Sequence, residues 1–158
     1  MNTYTPSAAA QMRLREATLL AIAALCIALN IGLGAVVYLL KLPIYLDAIG
    51  TVACAMLAGR LGWRGFLLAA FVGAASFLMI GLLVNPVVMW FIPTQLAIAA
   101  YAFWVARPVL RKTLESRILT PTRIGLVLLT GLGLGCVAGV VSAPIITYVF
   151  GGITGSGA

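Results

Sequence analysis

From Ala17 to Leu40 the chain runs for twenty-four residues without a charged side chain. At 1.5 Å per residue a helix of that length is about 36 Å long, enough to cross a hydrocarbon core of about 30 Å with some tilt. It is too long for a secretory h-region, and no small-x-small cleavage site precedes Lys41, so it reads as a retained transmembrane helix. Residues 43–59, 66–84, 87–106 and 124–150 repeat the pattern, which predicts five spans in all. A chain of 158 residues that is 63% hydrophobic and 8% charged, with a mean hydropathy of +1.17, has too little polar surface to face water. The expected fold is an all-α integral membrane bundle of five helices. Residues 1–16 form an N-terminal segment and residues 17–158 one helical domain.

The breaks between spans carry their own signals. Pro43 suits the first turn of the second helix, where a missing N–H costs nothing. Gly59-Arg-Leu-Gly-Trp-Arg-Gly65 reads as a tight turn with Trp63 at headgroup level, and Asn85-Pro86 as a short connection. Pro93 is expected to kink the fourth span and free a carbonyl near Met89. Arg107 to Arg123 is the one extended polar stretch.

The formal charge of +7 does not point to nucleic acid, because the cations stand in turns rather than along a solvated face. With residue 13 in the cytoplasm, nine of the ten Lys and Arg residues fall in cytoplasmic turns and only Lys41 outside. That bias sets the orientation: N-terminus cytoplasmic, end of this sequence outside, in the cytoplasmic membrane. With no histidine and three acids, the chain offers no material for catalysis, and neither a metal nor a cofactor is expected. Cys26, Cys54 and Cys136 match no metal or redox spacing and read as small buried hydrophobes. The glycines at 151 to 157 lack the Lys-Ser/Thr of a phosphate loop and read as an outer loop.

Two constellations remain. Ala17, Ala21, Ala24, Ala28, Gly32 and Ala35 share one face of the first helix, a smooth stripe suited to close backbone approach in lipid. It serves either packing inside this bundle or docking of another subunit. The second constellation gathers at the outer side. Lys41 to Thr51 reads as an access loop and helix cap over a site, with Tyr45 and Asp47 at its lip and Asp47 close enough to pair with Lys41. Asn85, Trp90, Gln95 and Tyr148 join them as candidate substrate contacts, Gln95 about 15 Å below Asn85. Interfacial aromatic belts and interhelical bonds account for the same residue types without a ligand.

These residues together resemble a known family. The Ala-x-x-x-Ala pairs at 17/21 and 24/28, Leu42-Pro-Ile-Tyr-Leu-Asp-Ala-Ile-Gly-Thr51, Asn85-Pro86, and Ser142-Ala-Pro144 leading to Phe150-Gly-Gly-Ile-Thr-Gly-Ser-Gly157 look like the substrate-binding S component of energy-coupling factor (ECF) vitamin transporters. The resemblance implies a six-helix fold, here lacking its last helix, that binds a vitamin or related solute from outside. It also implies partners: a transmembrane coupling subunit docked on Ala17, Ala21, Ala24 and Ala28, and two cytoplasmic ATPases. The alternative is a membrane input domain of a sensor, which needs a cytoplasmic output that a five-span topology puts on the wrong side.

Overall fold

A computed structural model describes residues 8–40, 48–114 and 120–150. Among them there is no strand, and four helices are long and apolar enough to cross a membrane. The helices are α1 (Ala8–Leu39), α2 (Ile49–Ala58), α3 (Trp63–Leu83), α4 (Ile92–Tyr101), α5 (Arg107–Leu114) and α6 (Pro121–Ile145). A 3-10 turn over Pro86–Phe91 precedes α4 and a π turn over Ala102–Ala106 joins it to α5, so that Pro86–Thr113 makes one candidate span.

Successive spans run antiparallel. Asn30 of α1 meets Gly50 and Thr51 at the start of α2. Gly65 of α3 lies beneath the Ala58 carbonyl at the end of α2, close enough that a side chain there would collide with it. Further along, Phe66 of α3 stacks near Phe103 and Trp104, while Gly81 lies against Met89. On the far side of α4, the Tyr101 hydroxyl donates to the Thr130 carbonyl of α6 at 3.1 Å, and Thr94 meets Ser142 at 3.2 Å.

This alternation collects the charge at one end. Arg13, Arg15, Arg64, Arg107, Arg111, Lys112 and Arg123 all lie toward that end. Arg107 lies against Gly59 with its guanidinium 5.4 Å from the Phe103 ring centroid, and Trp63, Phe66 and Trp104 cluster beside it. Indole and guanidinium groups in this arrangement suit a membrane interface. Among the described residues the opposite end carries no charge.

The second span departs most from expectation. α2 has only ten residues, about 15 Å, where residues 43–59 are read from sequence as a full span. It begins deep in the bundle, level with Asn30, which is nine residues from the end of α1. A helix start buried among apolar helices exposes N–H groups that no intrahelical carbonyl can take. Ala48, at the N-cap, offers no side-chain bond. The amide oxygen of Asn30 supplies it from the neighbouring helix, accepting from the Gly50 N–H at 2.6 Å. Pro43, and the cap that Lys41 to Asp47 are read to form, lie outside the described residues.

Smaller differences have local causes. α3 starts at Trp63 rather than near residue 66, because Gly62 takes φ 61° and turns the chain directly into the helix. Pro93 does not kink a continuous helix: it occupies the first turn of α4, and the Met89 carbonyl accepts from the Ile92 N–H instead of standing free. The polar stretch after Arg107 continues as α5 to Leu114.

The faces of α1 are divided. Ala23, Cys26, Asn30 and Val37 are buried against α2 and α3, whereas Ala17, Ala21, Ala24, Ala28 and Gly32 lie on the opposite side and are exposed. These five residues of the small-residue stripe therefore stand away from the described helices, while Ala35 is half-buried. α6 is the loosest element: it packs chiefly on α4 and its flanking turns, and Thr130 is its buried residue. For the same reason Cys136 is exposed, contrary to its reading as buried; Cys26 and Cys54 are buried as expected.

Candidate functional site

Four helices meet at a set of buried polar side chains in the middle of the apolar bundle. The Asn30 Nδ2 group donates to Thr51 Oγ1 at 3.1 Å and to Ser76 Oγ at 3.2 Å. The Thr51 hydroxyl donates to Gln95 Oε1 at 2.9 Å, and the Ser76 hydroxyl to the Val72 carbonyl at 2.6 Å. α1, α2, α3 and α4 each contribute one residue. Buried polar groups in this setting are costly unless all are bonded, and a fully bonded set fixes the helices in one register. Gly73 makes the convergence possible. It faces the Cβ of Gln95 and Oγ1 of Thr51 so closely that a larger residue would part α3 from α4.

Against this set lies a cavity of about 430 Å³ between α4 and α6. Phe91, Thr94, Gln95 and Ile98 form the α4 wall, with Phe77 from α3 and Ala48 from the start of α2. The α6 wall is shaped by small residues: Gly131, Gly135, Ala138, Gly139 and Ser142, with Leu134, and Ile146 from the turn that follows. Nothing stands within 4 Å of where a Cβ would project at Gly131, Gly135 or Gly139, so the glycines hold space open rather than bring helices together. The volume is in the range of about 300–1,000 Å³ common for small-molecule sites, and an apolar lining with a few polar groups is their usual composition. None of the described lining residues is charged.

The candidate contacts read from sequence separate here. Gln95 lies where expected, 2% exposed, and is both a wall of the cavity and a member of the polar set. Trp90 and Tyr148 do not line the cavity and are 62% and 82% exposed, positions that suit interfacial aromatics better than ligand contacts. Asn85 is not a wall residue either. Its side-chain oxygen accepts from the Val87 N–H at 3.1 Å, capping the 3-10 turn that Pro86 begins. Tyr45 and Asp47 lie outside the described residues.

Asn30 and Thr94 are residues sequence reading passed over, and Ser142 entered it only as part of a motif. Asn30 had a signal, being the one amide in the first span, and polar residues inside a span are rarely idle. Nothing in the sequence pairs Thr94 with Ser142, since their meeting depends on how α6 lies across α4.

No family model, curated protein or solved structure matches this chain. Its own geometry is what bears on its function.

Proposed function

We propose that this chain is the solute-binding membrane subunit of an ECF-type importer. It captures a vitamin or related small solute in the cavity between α4 and α6, for uptake driven by a coupling subunit and two cytoplasmic ATPases. In this reading the cationic end lies in the cytoplasm, following the bias of positive charge to that side. The cavity then stands in the half of the bundle nearer the outside, since Phe91, Ser142 and Ile146 lie toward the uncharged end.

The observation that carries the proposal is the outward face of α1. Helices in lipid associate through close van der Waals packing, for which Ala and Gly are suited. A helix that uses its Ala23, Cys26 and Asn30 face for its own bundle, and keeps Ala17, Ala21, Ala24 and Ala28 exposed opposite it, is built to pack on two sides. Capture in one place and docking in another is the division of labour an S component needs.

Ala24→Leu tests this. The side chain is exposed, so the bundle is expected to fold with unaltered thermal stability and an unaltered cavity. Co-expressed with an ECF coupling subunit and its ATPases, the variant is expected to co-purify at least about tenfold less than wild type, the effect of about 1.4 kcal/mol lost at the interface. Undiminished assembly contradicts the docking face, and loss of stability together with assembly assigns the stripe to internal packing.

A further inference from the structure

The direction of every proton in the buried polar set follows from its two backbone ends. The Gly50 N–H can only donate, so the Asn30 atom 2.6 Å from it is the amide oxygen. Nδ2 of Asn30 therefore faces Thr51 and Ser76, and both its protons are used. A hydroxyl has one proton. Ser76 sends its own to the Val72 carbonyl, which can only accept. Thr51, receiving from Asn30, sends its own to Gln95 Oε1 at 2.9 Å.

Gln95 is thereby held in one of its two amide orientations. Its oxygen is on Thr51, and its Nε2 group is on the other branch. Gln95 lines the cavity; Asn30, Thr51 and Ser76 do not. Among the described residues Nε2 has no protein partner, and no side-chain nitrogen or oxygen is sealed from solvent without one, so the nitrogen opens on to the cavity. The other polar point of the wall, the Thr94–Ser142 hydroxyl pair, can rotate to donate or accept. Gln95 cannot.

We propose that the cavity presents a fixed hydrogen-bond donor, Gln95 Nε2, and selects a neutral, mainly apolar molecule carrying a ring nitrogen or carbonyl acceptor at that point. The described walls carry no charge, so they offer a buried ammonium or carboxylate no counter-ion there. Thr51 is a positioning residue: it touches no ligand but decides which end of the Gln95 amide the ligand meets. The inference rests on the reading of this cavity as the solute site.

Three probes of similar shape separate the possibilities: quinoline, with one acceptor; indole, with one donor; and naphthalene, with neither. Their affinities are measured by ligand-detected NMR on the purified protein in nanodiscs. The reference is Gly135→Trp, whose side chain fills the cavity from a position with free space around it. Wild type is expected to bind quinoline about five- to tenfold more tightly than naphthalene or indole, the effect of one neutral hydrogen bond to an otherwise unpaired donor. Thr51→Val is expected to abolish that preference while leaving naphthalene unchanged, and Thr51→Ser to restore it. Gln95→Met, which removes the donor but keeps the length, reads the same preference should Thr51→Val fold poorly. Equal binding of quinoline and naphthalene to wild type, both displaced by Gly135→Trp, overturns the fixed donor and leaves the cavity a binding site. If no probe distinguishes wild type from Gly135→Trp, the cavity itself fails as a site, and both proposals fall.

Discussion

Asn30→Ala is expected to destabilise the folded bundle by about 2–4 kcal/mol. Each interhelical side-chain bond within a membrane contributes about 0.6 kcal/mol on average and up to about 1.7, and Asn30 makes three, to Gly50, Thr51 and Ser76. The bond to Gly50 is the most consequential. It satisfies an N–H at the buried start of α2, and leaving such a group unmet costs about 1–3 kcal/mol. Alanine also opens a small void, because Asn30 is fully buried. Denaturant titration in mixed micelles reads the loss directly. A change under about 0.5 kcal/mol would mean that α2 is held by its apolar contacts alone.

Gly50→Ala attacks the same joint from the other side. A Cβ at this position runs into the Cys26 carbonyl oxygen and the Asn30 amide oxygen, and neither is the free end of a flexible chain. α2 must move away from α1, which breaks the Asn30 bonds and strains the packing. Overpacking of this kind costs about 1–3 kcal/mol, and the lost bonds add to it. Since both substitutions dismantle one contact, the double variant is expected to fall short of the summed effects by about 1 kcal/mol or more. Gly32→Ala provides the contrast. No atom lies within 4 Å of its Cβ position, so the helical preference of alanine over glycine is expected to raise stability by up to about 1 kcal/mol.

The helical class and most of the spans were legible because apolar runs bounded by Arg-rich or Asn-Pro turns have few other solutions. On α3, Ala69, Gly73 and Ser76 recur at helical spacing and are buried together. The start of α2 was not legible. Nothing local marks Ile49 as the start of α2; the Gly50 N–H is met by Asn30, twenty residues earlier, and a contact at that separation leaves no periodic trace. The candidate site divided for a related reason. Gln95 was recoverable because an amide about 15 Å inside a span must face something polar. Trp90 and Tyr148 could not be sorted from sequence, because amphipathic aromatics at a membrane boundary have the same composition whether they hold a ligand or anchor a helix. The cavity itself was hidden in the glycines of α6. Gly131, Gly135 and Gly139 suggest close helix packing by their spacing, yet here they face open space.

The central claim, that this space holds a transported solute, is tested most directly by what the protein carries from the cell. Wild type and Gly135→Trp, expressed in full-length form and purified in parallel, are denatured and the released small molecules compared by mass spectrometry. A single compound in near-stoichiometric amount from wild type, and absent from Gly135→Trp at equal folded yield, is the predicted result. The same compound released in equal amount from both proteins would contradict it.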